Sequence, residues 1–391
     1  VSLELRSTCC SWATCSAMLR PTQLHGCSAM VTSRGFRSSL LGLLAGLLFA
    51  PMANGQDMPT PAVQARIVEV LEREALYRDK VDWQALRSRL QAPDTDPAQT
   101  WALLRDAIAV SSGGHGRWMP ATHPSLQSPS ARGTAAAAQR APASRQTDEI
   151  SATPQRTDLQ RDMDTVGRRI GWMTVGAFNA SGAGDSPAWQ QASLAFAGRL
   201  QNAIRGKDRT ERCGWVVDLR GNSGGNMWPM LLGLAPLLEE VDGDAPRIGA
   251  FATADAERSW SSHDGAVWLE QKKLLDGGAA VYRLRQPGAP VAVLFGPRTA
   301  SSGEATALAF RGRANTRSFG QPTAGFSTGN RTERLPDGSA LLVTGNVMVD
   351  RNGQGDGGRI APDVVVGEGE DAAAAARDWL LAQPACAASA S

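Results

Sequence analysis

Two apolar, β-rich runs, Gly214 to Leu219 and Val291 to Phe295, each end abruptly in small residues. The first passes into Arg220-Gly221-Asn222-Ser223-Gly224-Gly225; the second reaches Thr299-Ala300-Ser301-Ser302-Gly303-Glu304. A strand that stops in glycine and serine can offer its backbone or a hydroxyl to a ligand. Around them the periodicity changes. Ile170 to Phe178 reads as a strand, Pro187 to Ile204 as a helix, and the next strand runs into Asp218, a β-α-β arrangement. A second strand-to-helix step leads from Val291–Phe295 to Gly303–Phe310. Arg331 to Leu335, Pro336-Asp337-Gly338 and Ala340 to Val349 read as a hairpin, and Asp371 to Leu381 as an alanine-rich closing helix.

Upstream the pattern is helical. Val63, Ile67, Val70 and Leu71 recur at helical spacing, followed by Trp83 to Leu90 and Trp101 to Ile108, with Thr60-Pro61 placed to cap and open the first helix. Residues 56–112 therefore read as a small helical bundle. Pro124 to Arg156 is rich in Ala, Ser, Pro, Gln and Arg and poor in large apolar residues, so 113–163 reads as a loop bearing His115 and a flexible linker. Residues 164–385 form the core.

Residues 1–55 read as a leader with a signal peptide: Arg34 and Arg37 precede the apolar run Leu40 to Ala50, and Ala53-Asn54-Gly55 is a small-x-small cleavage signature before Gln56. That run is shorter than a spanning helix requires, and no Cys follows it as in a lipoprotein signal. The chain starts with Val, while a signal peptide would start at Met30, so residues 1–29 read as an over-extended start. The expected location is periplasmic or secreted, with no stable membrane anchor after cleavage. Four of the six cysteines lie in this leader, which leaves Cys213 and Cys386 either to form one disulfide or, for Cys213, simply to fill the core.

With 42% hydrophobic and 20% charged residues the chain is globular, and a net charge of +2 with no basic stripe speaks against nucleic acid as a partner. No Cys, His and carboxylate cluster has ligand spacing, so neither metal nor organic cofactor is expected.

Gly221-Asn222-Ser223-Gly224-Gly225 fits G-x-S-x-G, but the only histidine after it is His263, too close for the fold of an α/β-hydrolase, and β-α-β order contradicts a chymotrypsin-like double barrel. Ser223 is therefore the weaker candidate nucleophile. The loop serves better as a source of backbone N–H groups for an oxyanion, because glycine lets amides lie open. Ser301, at a helix start among small residues, is placed to attack a carbonyl; Ser-Ser-Gly-Glu is equally an ordinary N-cap.

Asp218-Leu219-Arg220-Gly221-Asn222-x-Gly224-Gly225, Thr-Ala-Ser-Ser-Gly-Glu, Gly320-Gln321-Pro322-Thr323-Ala324-Gly325, Asp337-Gly338 and Ile360-Ala361-Pro362-Asp363 together resemble the S41 peptidase family. The order and spacing match over roughly residues 60 to 382. The resemblance implies an α/β core of the ClpP/crotonase kind beside the N-terminal helices, Ser301 as nucleophile, the amides of Gly224 and Ser302 as oxyanion hole, and substrate contacts at Gly225, Asn226 and Thr323. Processing proteases of this family place a base lysine after the serine in T-x-G-K. Here Phe326 follows Gly325, and the lysines Lys80, Lys207, Lys272 and Lys273 all precede Ser301. The tricorn and nisin-resistance branches use an upstream histidine, and His115 stands in that place. Imidazole is suited to take the serine proton and return it to the leaving amine. The family's flanking Asp and Ser are Gly114 and Gly116 here, which leaves open what orients the imidazole; Glu304 is a candidate for positioning either the serine loop or the base. There are too few residues between His115 and Ile170 for a PDZ module. The expected activity is hydrolysis of extended peptides or unfolded protein tails through an acyl-enzyme. The alternative is an S41-like fold that has lost catalysis and binds a peptide or apolar ligand.

Overall fold

The computed structural model describes residues 58–123, 125–126, 169–179, 186–239, 247–278 and 282–387. The leader and its signal peptide, and the linker from Pro124 to Arg156, fall outside these residues apart from Ser125 and Leu126.

Three helices open the described chain: α1 (Pro61–Glu74), α2 (Trp83–Leu90) and α3 (Pro97–Ser111). Thr60 caps α1 through Val63 N–H, with Pro61 in the first turn where its missing donor costs nothing. The short strand β1 (Arg117–Met119) follows. Then come β2 (Ile170–Thr174), α4 (Pro187–Lys207), β3 (Gly214–Asp218) and α5 (Met227–Leu238). Four strands succeed one another: β4 (Arg247–Ala252), β5 (Glu257–His263), β6 (Ala266–Leu269) and β7 (Lys272–Asp276). The chain continues through β8 (Val291–Phe295), α6 (Ser302–Phe310), β9 (Thr316–Gly320), β10 (Thr328–Arg334), β11 (Ala340–Val349), β12 (Val364–Val365), α7 (Ala372–Leu381) and α8 (Pro384–Ala387).

These elements build two sheets. One is parallel, in the order β12-β9-β8-β3-β2; the other is antiparallel, in the order β1-β11-β4-β5-β6-β7, with β10 on the remaining side of β11. The parallel strands are buried on both faces, which explains their unbroken apolar runs. Trp215, Val217, Val293 and Phe295 pack into the main core with α4, α5 and α6, while Val216, Ala292 and Leu294 point the other way, onto α7. The antiparallel sheet closes the main core from the far side with Ile248, Trp260, Val267 and Met348. Sandwiched between, α5 is apolar all round, and every one of its residues except Trp228 is buried. It approaches α4 closely at Gly233, where a Cβ would lie 2.6 Å from Leu200 Cδ1. The fold class is therefore α/β with N-terminal helices, as expected.

Those helices do not have a core to themselves. Ile67, Leu71, Leu104 and Ile108 join one cluster with Leu341 and Val343 of β11, and β1 adds a strand to the same sheet. This brings the His115 loop, which links α3 to β1, onto the core.

Cys213 and Cys386 form a disulfide across 173 residues, with Cα atoms 4.9 Å apart, which ties α8 to the start of β3. Closing so long a loop restricts the unfolded chain. Cys213→Ser is expected to lower unfolding stability by about 2–4 kcal/mol, read from urea denaturation. No change beyond a few tenths would show that the bridge constrains little.

Candidate active site

The loops after β3 and β8 are stitched together before either reaches a substrate. Thr299, fully buried, donates its hydroxyl to Leu219 C=O at 2.9 Å and accepts Gly296 N–H at 3.1 Å. Ala300 N–H donates to Asn222 C=O at 3.0 Å, and Ser302 Oγ donates to Gly225 C=O at 2.7 Å. The next residue out is Ser301, at the N-cap of α6, with φ 53° and ψ −114°. A non-glycine residue with positive φ costs of order 1–3 kcal/mol and persists only where its surroundings impose it.

Glu304 is what imposes it. Its Oε2 accepts Ser301 N–H at 2.7 Å and Phe326 N–H at 2.9 Å; its Oε1 accepts Gly325 N–H at 2.9 Å and the Thr323 hydroxyl at 2.5 Å. Four donors thus converge on one fully buried carboxylate. Burial pushes Glu304 above the ordinary carboxylate range, opposed by these donors, which favour the ionised form.

Ser301 Oγ lies 3.1 Å from His115 Nε2, and His115 Nδ1 lies 2.6 Å from Thr328 Oγ1. Asn330 Nδ2 donates to the His115 carbonyl at 3.3 Å, and the Phe326 ring lies 5.2 Å from the imidazole, tilted by 38°. For Nε2 to accept the serine proton, Nδ1 must carry the ring hydrogen and donate it to Thr328 Oγ1. Burial, and then the charge of Arg117, lower the His115 pKa to about 4. The folded state therefore favours the neutral ring. Its contribution to stability is complete above the ordinary 6.5 and is lost as pH falls from there through about 4. The acid limb of kcat/KM is expected near pH 4 rather than 6.5, and Arg117→Gln is expected to move it upward. A limb at 6.5 in both proteins would contradict this.

The remaining expected residues divide. Gly224 packs directly on the nucleophile: with φ at +109°, a Cβ there would lie 3.0 Å from Ser301 Cβ and 3.6 Å from its Oγ. Its N–H is engaged, donating to Asn222 Oδ1 at 3.0 Å. The amides of Ser302 and Gly225 donate to no group among the described residues. Asn226 caps α5, its Oδ1 accepting Trp228 N–H at 3.0 Å. Thr323, expected at the substrate, is fully buried; its hydroxyl donates to Glu304 and accepts Ile360 N–H at 2.9 Å, so it shapes the loop from inside. Glu304, counted with the catalytic residues, hydrogen-bonds neither Ser301 Oγ nor the imidazole and acts on the backbone around them. Ser223 is exposed and has no histidine partner among the described residues, where His263 Nδ1 bonds Asp264 and His123 Nδ1 bonds Ser125.

Sequence reasoning missed Thr328, Asn330 and Asn222. Thr328 is 213 residues from His115, and no local pattern announces it. Asn222 was visible as the polar residue inside a glycine loop. Among the described residues no group of three or more His, Cys, Asp or Glu side chains could hold a metal ion.

Over 174 residues the chain is 37% identical to the nisin-resistance protein of Lactococcus lactis subsp. lactis, a match covering 44% of this chain and 50% of that protein. The chain thus spans about half the length of this curated relative. The solved structure of a lipoprotein from Streptococcus agalactiae superposes with a TM-score of 0.57 at 21% identity, over 83% of this chain and 97% of that one, and shares the fold. A sequence model of peptidase family S41 matches residues 169–366, just over half of the 391 residues and the whole stretch from β2 through β12 that carries Ser301, Gly224 and Glu304. The chain belongs to peptidase family S41.

Proposed function

We propose that the protein is a serine peptidase in which Ser301 is the nucleophile and His115 the general base. The 3.1 Å contact between Ser301 Oγ and His115 Nε2, made across 186 residues, carries this reading. His115 takes the hydroxyl proton as Oγ attacks a peptide carbonyl, then returns it to the leaving amine, and water hydrolyses the acyl-enzyme. Thr328 holds the ring in the tautomer this requires. Ser302 N–H, free at the first turn of α6, stabilises the oxyanion together with Gly224 N–H, which must exchange Asn222 Oδ1 for the substrate oxygen. Gly225 and the Nδ2 of Asn226 border the same loop and serve as substrate contacts.

An extended peptide or unfolded protein tail suits an open nucleophile on a loop junction. The similarity to a nisin-resistance protein supports an exported or cell-envelope location, and the leader reading adds a periplasmic or secreted one. Hydrolysis of unstructured peptides tests the proposal. Turnover by the wild type that disappears in Ser301→Ala, with the fold intact, is the expected result. A Ser301→Ala variant as active as the wild type would overturn it and return attention to Ser223. A wild type that binds peptides without cleaving them would make this chain a binding member of its family.

A further inference from the structure

Two arginines at the surface near the Ser301 and His115 pair have guanidinium donors to spare. Arg117, two residues beyond His115 on β1, is exposed, and its side chain makes no hydrogen bond or ion pair among the described residues. Other arginines are engaged: the exposed Arg331 pairs with Glu74 and Glu333, and the half-buried Arg66 with Glu69 and Glu333. Arg359 approaches the site from another loop. It lies against the turn at Gly325, where a Cβ would meet Arg359 Cγ at 3.0 Å, and Phe326, which follows, packs on the imidazole. Arg359 is exposed and spends one donor on Thr323 C=O at 3.2 Å, leaving the rest of its fork without an acceptor among the described residues. Of the anions nearby, Glu304 is buried under four donors, and the exposed Asp356 turns its Oδ1 to Gly358 N–H at 2.8 Å.

We infer that Arg117 and Arg359 are substrate-binding residues that select peptides carrying a carboxylate next to the scissile bond. This rests on the peptidase reading of the Ser301 site. A guanidinium recognises a carboxylate through paired N–H donors, and such charge-assisted bonds are the stronger kind. Binding would also act on the base. The groups facing the imidazole are Ser301, Phe326 and Thr328, with Asn330 on the His115 carbonyl, all uncharged, and Glu304 one hydrogen bond behind. Arg117 is therefore the near charge acting on His115, and a carboxylate beside it offsets that charge. The ring becomes a stronger base when such a substrate is present.

The carboxylate could come from an internal Asp or Glu or from a peptide's free C-terminus. The test uses matched unstructured peptides carrying Asp, Asn or Lys at successive positions, each with a free or an amidated C-terminus. The wild type is expected to favour the better carboxylate peptide over its amide isostere by about tenfold in kcat/KM. In Arg117→Gln/Arg359→Gln that ratio should collapse towards one, and in Arg117→Glu/Arg359→Glu it should invert in favour of Lys. Preference confined to free C-termini would identify a tail carboxylate; preference surviving amidation, an acidic side chain. Equal cleavage of all peptides, or a ratio unmoved by both double variants, would overturn the inference. The same peptides titrated onto Ser301→Ala give the preference as a Kd ratio without turnover. A failure of hydrolysis alone thus tells against the peptidase reading, while a flat Kd series tells against the arginines.

Discussion

His115→Ala is expected to lower kcat/KM for peptide hydrolysis on the order of 10⁴-fold or more, and to slow acylation of Ser301 in parallel. The effect is this large because a Ser-His pair acts as a unit, and removing one partner costs about as much as removing both. Among the described residues the hydroxyl has no other base within reach: Glu304 is turned to backbone amides and the Thr323 hydroxyl, and His123 and His263 are bonded to Ser125 and Asp264. Thr328→Val should show a smaller loss in kcat, since the ring keeps its Phe326 contact and the His115 carbonyl its Asn330 bond, but the ring loses the partner that sets its tautomer. A hydroxyl, unlike a carboxylate, gives the imidazolium no counter-charge, which agrees with the depressed pKa of about 4. Thr328→Asp is accordingly expected to move the acid limb to higher pH. If His115→Ala retained most of the activity, the base would have to be sought elsewhere.

Glu304→Ala is expected to destabilise the fold by about 3–5 kcal/mol and to abolish turnover without touching the reacting atoms. Losing the carboxylate strands Ser301, Gly325 and Phe326 N–H groups and the Thr323 hydroxyl in a buried place. It also releases the strain at Ser301, whose φ of 53° is held through that N–H. Urea denaturation reads the first effect. The second is separated by comparing Glu304→Gln, which keeps one oxygen acceptor and should recover part of the stability while kcat stays low. A Glu304→Ala variant as stable as the wild type would remove the carboxylate from its place at the centre of the loop network.

Where a function needs a residue type at a fixed local spacing, the sequence made it readable. Thr60-Pro61 opens α1, Asp371 caps α7, and the three-residue offset from Ser301 to Glu304 places a carboxylate on the serine's own amide. The apolar runs of β3 and β8 revealed strands buried on both faces, because every position there faces a core. The antiparallel strands β4 to β7 were not anticipated. β5 and β7 carry exposed charges such as Glu257, Arg258, Lys272 and Lys273 and so lack an apolar run, while the apolar stretches of β4 and β6 are short and lie between them. The disulfide was left open and is formed. Thr323 showed the limit of motif reasoning. A residue can belong to a family's pattern because it holds a loop from within, and only burial tells that apart from a ligand contact. The partners of His115 were hidden for another reason: Ser301 and Thr328 reach it from 186 and 213 residues away, a proximity set by the packing of β1, β11 and β10.

The most direct test of the account is covalent. The protein is treated with a serine-directed phosphonate, digested, and the adduct mapped by mass spectrometry, with Ser301→Ala and His115→Ala alongside. The account predicts a single adduct on Ser301, absent from Ser301→Ala and formed far more slowly in His115→Ala. An adduct on Ser223, or labelling of Ser301 at the same rate without His115, would contradict it.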